Sequence, residues 1–349
     1  MPAMDKKYTI KDIALMARVS KGTVDRVLHK RGKVSPAALE RVTAVLAKIN
    51  YEPNVIARNL KNNKISRIAV ILPDPKIDPY WAPCLDGVAQ ALEEFRAFNL
   101  SVESYFFDPE STSSFLKINK EVLELAPDAV LLAPFFYKET IKISNKYDES
   151  GIIVATFNNQ IESEAIKSFV GQDLFKSGRV AAKLMNVLSA NKIAIIHIDE
   201  SVKNASHMQE KEKGFKSYFE EKENKNFEIT TLKLKNPDFT INFEHFLKEN
   251  SQLNGIFVTT SKVYQIAKMV QKLAPNKISI IGYDLIDDNI SFVKEGVIDF
   301  LIHQNPKRQA YLSITNIADN IVYGKDIPTN TLLPIDIINS ENIDTYCAN

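Results

Sequence analysis

The 349-residue chain contains only 2 cysteines and 11 glycines, and each scarcity excludes a class of protein. Cys84 and Cys347 are too few and too far apart to form a disulfide framework or a cysteine zinc site, so a small stapled fold is ruled out. No GxxxxGK[ST] phosphate loop and no GxSxG nucleophile elbow occurs, which removes the commonest glycine-dependent catalytic turns. Long apolar runs are missing too. The run Asp128 to Phe136 is far too short to cross a membrane, and Met1-Pro2-Ala3-Met4-Asp5-Lys6-Lys7 has no apolar stretch of a secretory leader. A cytoplasmic protein with no cofactor or metal is therefore expected. At 45% hydrophobic and 25% charged residues, the chain has an ordinary globular composition and is long enough for two or three domains.

Net charge is also nearly absent, at +1, but the total conceals two opposed regions. Residues 1–64 hold 14 Lys and Arg against 5 Asp and Glu, a charge of +9, while residues 65–349 hold 30 against 38, a charge of −8. Basic charge confined to one terminus is what a polyanion contact requires, because phosphates release their condensed counterions there.

Within the basic segment three amphipathic helices can be read. Thr9 and Asp12 form a capping box that opens a helix with Ile10, Ile13, Ala14 and Ala17 on one face. After a turn at Arg18-Val19-Ser20, a second helix, Lys21 to Leu28, turns Val24, Val27 and Leu28 inward. A third begins at Ser35-Pro36 and repeats Leu39, Val42, Leu46 and Ile49. Two short helices joined by a three-residue turn make a helix-turn-helix. If the second helix enters a major groove, Lys21 and Arg26 are the side chains placed to reach base edges.

Thr9-Ile-Lys-Asp-Ile-Ala14, Val19-Ser20, Thr23-Val24, Arg26-Val27-Leu28, Val34-Ser35 and the run Tyr51-x-Pro53-Asn54-x-x-Ala57-Arg58-x-Leu60 together resemble the lactose repressor (LacI/GalR) family of bacterial transcription regulators. The resemblance implies an all-α three-helix head that contacts DNA through Thr9, Ser20, Lys21, Thr23, Asp25 and Arg26. It also implies a hinge helix after Pro53, formed on the operator, with Asn54, Ala57, Arg58 and Leu60 at the DNA. There Leu60 would wedge into the minor groove, an apolar insertion that kinks the duplex. Asp25 departs from the family's usual Ser. It can accept from a cytosine amino group or pair with Arg26 or Lys21, and both readings stay open.

From Arg67 onward, apolar strand runs at Ile68–Leu72, Ala129–Leu132, Ile152–Phe157, Ile193–Ile198, Gly255–Val258 and Ile278–Ile281 alternate with helical patterns. This reads as a doubly wound parallel α/β body whose ligands bind beyond the strand carboxyl ends. Asp78-Pro-Tyr-Trp81, Val170-Gly-Gln-Asp173, Gly214-Phe215, Ile281-Gly-Tyr-Asp284 and Gln304-Asn-Pro306 resemble the type I periplasmic-binding-protein fold, a two-lobed sensor. The resemblance implies an effector cleft lined by Asp78, Tyr80, Trp81, Asn158, Asn159, Lys211, Ser261 and Gln304. Aromatic faces and planar amides suit a carbohydrate; Trp81 can equally be core, since it heads the Trp81/Leu85/Val88 stripe. Lys211 and Ser261 stand where relatives carry Arg and Asp, and Asn158-Asn159 where they often carry Asp-Arg. These departures leave open a neutral sugar held through amides and an acidic or phosphorylated one paired with Lys211.

The expected division is a head at 1–53, a hinge and linker at 54–66 and an effector domain at 67–349. Lobe 1 would comprise 67–160 and 286–324, and lobe 2 the ranges 161–285 and 325–349. His197, Asp199, Glu200, Ser206 and His207 gather polar groups near one strand end but complete no metal or hydrolase set. The expected function is a homodimeric, sequence-specific repressor on a pseudo-palindromic double-stranded operator, controlled by a small effector. A transport or chemotaxis solute-binding protein, or a sugar-acting enzyme, is the competing reading.

Overall fold

The computed structural model of the chain describes residues 8–28, 32–49, 51, 65–198, 206–221, 226–274 and 278–347. Two compact units divide it, residues 1–61 and 62–349.

In the first unit, α1 (Ile10–Ala17), α2 (Lys21–Leu28) and α3 (Pro36–Lys48) close on a core of Ile13, Ala14, Ala17, Val24 and Val42. Arg18 ends α1 in the left-handed region, φ 52°, and its N–H reaches back to the Ala14 and Leu15 carbonyls. That turn lets α2 start only three residues later. Leu39 is 47% exposed, contrary to its expected place in the core; Ala38 and Val42 fill that face of α3.

The second unit is built on two six-stranded sheets. The first has the order β11 (Asn330–Leu332), β5 (Ile166–Gly171), β4 (Ile153–Asn158), β3 (Ala129–Leu132), β1 (Ser66–Pro73), β2 (Leu100–Phe107), with every pair parallel. The second runs β12 (Asp336–Ile338), β10 (Phe300–His303), β9 (Ser279–Tyr283), β8 (Gly255–Val258), β6 (Lys192–Ile198), β7 (Glu228–Leu234), and only the β10–β12 pair is antiparallel. Alternate residues of β1 point to opposite faces and both faces are buried. Ile68, Val70 and Leu72 meet α4 (Ala82–Glu94) and α12 (Pro306–Tyr323), while Ala69 and Ile71 meet α5 (Thr112–Leu125) and α6 (Tyr137–Glu149). In the second sheet, Ile193 and Ile195 pack on α7 (Leu174–Val187) and α8 (Ser206–Glu220). The other face meets α9 (Phe239–Glu249), α10 (Val263–Leu273), α11 (Asp287–Lys294) and Ile343 of α13 (Ile343–Cys347).

Strand pairing moves the expected lobe boundaries. Residues 166–171 join the first sheet beside β4, not lobe 2, and the chain crosses after Gly171. Strand β10 lies in the second sheet, so α11 and β10 belong to lobe 2 and the return crossing falls at Gln304. Strand β11 then rejoins the first sheet before β12 ends in the second. The cause is non-local: the short strands β5, β10 and β11 complete sheets whose partners lie elsewhere in the chain. Buried Gln172 ties all three crossings, its Nε2 donating to the carbonyls of His303 at 2.9 Å and Pro334 at 2.6 Å. No helix among the described residues is long and apolar enough to cross a membrane.

Candidate functional site

On the first unit, Thr9 and Asp12 exchange hydrogen bonds: the Thr9 N–H donates to Asp12 Oδ2 at 2.9 Å and the Asp12 N–H to Thr9 Oγ1 at 3.3 Å. The Thr9 hydroxyl also donates to Asp12 Oδ2, at 2.7 Å, so this side chain is engaged in fixing the start of α1. Ser20 Oγ accepts from the Thr23 N–H at 3.1 Å and lies 2.9 Å from Thr23 Oγ1, which fixes the first turn of α2. With the helix start held, Lys21, Asp25 and Arg26 stand exposed on one eight-residue helix. Asn54, Ala57, Arg58 and Leu60 lie outside the described residues.

On the second unit, a cleft of about 1010 Å³, counted with its open mouth, is lined by all eight residues expected from the sequence: Asp78, Tyr80, Trp81, Asn158, Asn159, Lys211, Ser261 and Gln304. Seven come from strand ends or helix starts, and Lys211 from the second turn of α8. Asp78 caps the 3-10 turn Pro79–Trp81, accepting from the Tyr80 N–H at 3.2 Å and the Trp81 indole N–H at 3.1 Å. Burial pushes the Asp78 carboxyl up, against the hydrogen bond from Tyr80 and the charge of Lys262. Trp81 is 3% exposed, with Tyr80 and Phe157 set edge-on at 4.9 and 5.8 Å, so most of its ring belongs to the core and half-buried Phe135 offers the more open aromatic surface. Asn158 ends β4 at φ 70°, a conformation asparagine tolerates better than most residues, and its Nδ2 donates to the Tyr80 hydroxyl.

Lys211 projects from α8, and its backbone is placed by glycine. A Cβ on Gly178 of α7 would lie 1.9 Å from the Lys211 carbonyl, and one on Gly214 equally close to the Phe175 carbonyl, so both helices need glycine to approach this closely. The Lys211 ammonium donates to the Thr259 carbonyl at 3.1 Å and sits 3.6 Å from the centre of the Tyr283 ring. Behind this wall, His197 Nδ1 is 2.8 Å from Thr259 Oγ1 and Nε2 is 2.7 Å from Glu212 Oε2. Burial disfavours the Glu212 charge, but hydrogen bonds from Lys216, Thr231 and His197 prevail and pull the carboxyl down to about 2. Burial lowers the His197 pKa despite Glu212, so its Nε2–H donates to the carboxylate and Nδ1 accepts the Thr259 hydroxyl. The arrangement has the order of a hydrolytic relay, yet Thr259 is wholly buried. It steadies the strand that receives Lys211.

The residue sequence reasoning missed is Asp284. It follows β9 at φ 66°, is buried, and accepts from the Gln304 N–H at 2.9 Å and from Gln304 Nε2 at 2.8 Å. Burial pushes its pKa up to about 6, with Lys211 and Gln304 opposing the shift. The available signal was an Asp closing Ile281-Gly-Tyr-Asp284 at a strand carboxyl end. His207 and Lys262 also line the cleft. Burial, then the Lys211 charge, drives His207 down to about 3, so it is neutral at pH 7.

Comparisons with known proteins place the family and the fold. Residues 9–54 match the family described as "Bacterial regulatory proteins, lacI family", and residues 68–326 match "Periplasmic binding protein domain". The chain is 26% identical over 288 residues to the ribose operon repressor of Lactococcus lactis subsp. lactis, covering 79% of this chain and 80% of that protein. A crystal structure of a candidate LacI transcriptional regulator from Bacteroides fragilis superposes with TM-score 0.75 at 30% identity, covering 81% of this chain and all of that one. An ABC transporter solute binding protein from Burkholderia graminis, in complex with D-arabinose, superposes with TM-score 0.72 at 17% identity over 82% of this chain and 99% of that one, a likeness of fold.

Proposed function

Because this chain belongs to the lacI family of bacterial regulatory proteins, we propose that it is a cytoplasmic homodimeric repressor of a pseudo-palindromic operator, with its DNA affinity set by a small carbohydrate. It is a regulator of transcription, not an enzyme. The observation that carries the reading is the convergence of eight residues, scattered from Asp78 to Gln304, on one cleft in the same chain as a capped helix-turn-helix. Relatives named for ribose and sucrose operons favour a sugar as the signal.

In this reading Lys21 and Arg26 read base edges, Thr9, Ser20, Thr23, Asp25, Asn54, Ala57 and Arg58 also contact the DNA, and Leu60 wedges into the minor groove. A sugar bridging the two lobes favours one lobe arrangement, and it shifts operator affinity by as much as its affinities for the two arrangements differ. Gel shift and footprinting on DNA upstream of neighbouring genes, at two salt concentrations and with a monosaccharide panel, test this. A protected inverted repeat whose occupancy one sugar changes is expected. No protected repeat at either salt concentration would sink the reading.

A further inference from the structure

The sequence leaves two kinds of effector open, an uncharged sugar held through amides and an acidic or phosphorylated one paired with Lys211. They differ in which cleft groups must be available, and the charged groups are already engaged with the protein. Lys211 is 2% exposed, donates to the Thr259 carbonyl, rests on the Tyr283 ring and lies near enough to Asp284 to oppose its protonation. Both Asp284 oxygens accept from Gln304, and both Asp78 oxygens from the Tyr80 and Trp81 N–H groups. Lys262 acts on the Asp78 carboxylate from the opposite lobe, and His207 is neutral. Two inner carboxylates therefore face two ammoniums, with Glu110 adding negative charge at the exposed rim.

The neutral groups have the opposite character. Among the described residues, the Asn159 side-chain amide and the Ser261 hydroxyl make no hydrogen bond. Asn158 commits its Nδ2 to Tyr80 and leaves Oδ1, and Gln304 commits one N–H to Asp284 and leaves Oε1. These groups donate and accept singly and in pairs, as ring hydroxyls do. A phosphate or carboxylate would instead enter a site whose inner charges already balance and whose rim is negative, and leave an uncompensated charge out of water.

We propose that the cleft takes an uncharged polyhydroxylated ring and rejects its phosphorylated and carboxylated derivatives, with Lys211 acting as a counter-ion of the wall. Lys211 spends its charge on the Tyr283 ring and one donor on the Thr259 carbonyl, and it lacks the fork that would hold a carboxylate or phosphate through two parallel bonds. Asn159 and Ser261 become the recognising groups.

The inference rests on the effector reading above, and matched ligands separate the two. Full-length protein is titrated calorimetrically with D-ribose and D-ribose 5-phosphate, D-glucose, D-glucose 6-phosphate and D-glucuronate, D-galactose and D-galacturonate, a broader panel of neutral monosaccharides, and inorganic phosphate alone. An uncharged sugar should bind, its charged partner should bind roughly 100-fold more weakly, and phosphate should give no heat. Ser261→Ala and Asn159→Ala should each weaken the neutral sugar by roughly tenfold. A charged partner binding as tightly as the neutral sugar overturns the inference and leaves the regulator intact. So does phosphate binding that Lys211→Met abolishes. No binding by any sugar would remove the effector reading and this inference together.

Discussion

Lys21, Asp25 and Arg26, candidate contact residues on the helix-turn-helix unit, are exposed and belong to one helix, while the cleft gathers buried and half-buried residues from around both sheets. In the proposed reading the difference follows from the two ligands. DNA is large and charged, so a rigid helix whose start is capped can present solvated cations to it. A small ring must be enclosed, so its contacts are desolvated and each needs support from behind, as Thr259 has from His197 and Gln304 from Asp284. Substitutions in the head should accordingly change binding with little effect on the body, and substitutions in the cleft wall should change stability and binding together.

The most severe expected break is Gly178→Ala. Its Cβ would meet the Lys211 carbonyl at 1.9 Å, so α7 and α8 must separate, and Lys211 and His207 move with α8. A loss of at least about 3 kcal/mol in body stability is expected. Two-transition calorimetry on the full chain should show the body's melting fall and the head's stay. An unchanged body transition would mean that the helices do not pack this closely.

Acid should also act on the body. His207 and His303 are driven by burial to about 3 and about 4, so below pH 6.5 the unfolded chain takes up two protons that the folded one refuses, and stability is lost as pH falls. Asp284, pushed up to about 6 by burial, works the other way: the folded chain holds its proton between about pH 6 and 4, where an unfolded Asp does not. His197, lowered by burial, and Glu212, held down to about 2, add to the acid loss and Asp78, raised by burial, subtracts from it, so stability should fall as the pH drops from 6 to 4.5. Asp284→Asn removes the largest opposing effect and should steepen that fall. Urea melts of both proteins across this range measure it, and a flat wild-type profile would mean the histidines are not held neutral.

How much of this was legible in the sequence follows the same division. Helix α1 and its capping box, and the span of α2, depend on neighbours a few residues apart, and the pattern places them to the residue. Lobe boundaries depend on which distant strand a six-residue segment joins, and nothing local in Ile166–Gly171 says that it pairs with β4. Position-by-position resemblance brought the eight cleft residues together, but it does not say which are engaged by the protein. Asp284 closes one of the stretches that carry the resemblance, but its burial and its two bonds from Gln304 depend on residues 20 positions away. Leu39 had an apolar spacing but lies about 100° round the helix from Ala38, at the edge of the stripe that Ala38 and Val42 centre.

Intermediate effects belong to the DNA face. Lys21→Ala or Arg26→Ala should each weaken specific operator binding by about 1–3 kcal/mol, and whichever of the two touches phosphate should also lower the salt dependence by about one ion. The body's melting should not move, because both side chains are exposed and lie outside either core. Binding measured at two salt concentrations separates base reading from phosphate contact. Equal losses on operator and random DNA would assign both residues to the backbone.

Thr9→Ala should have the smallest effect and tests the comparison most finely. The substitution removes the acceptor of the Asp12 N–H and one donor to the Asp12 carboxylate, but the backbone N–H of residue 9 still reaches that carboxylate, so half of the reciprocal cap survives. The expected cost is about 1 kcal/mol, seen only in the head's transition, with Thr9→Ser restoring it. If Thr9 serves only as a cap, operator affinity should fall no further than the loss of folded head predicts. A larger fall, with Thr9→Ser normal, would give the hydroxyl a phosphate contact in addition to the cap. A shift of the body's transition by the same substitution would show that the two units do not unfold independently.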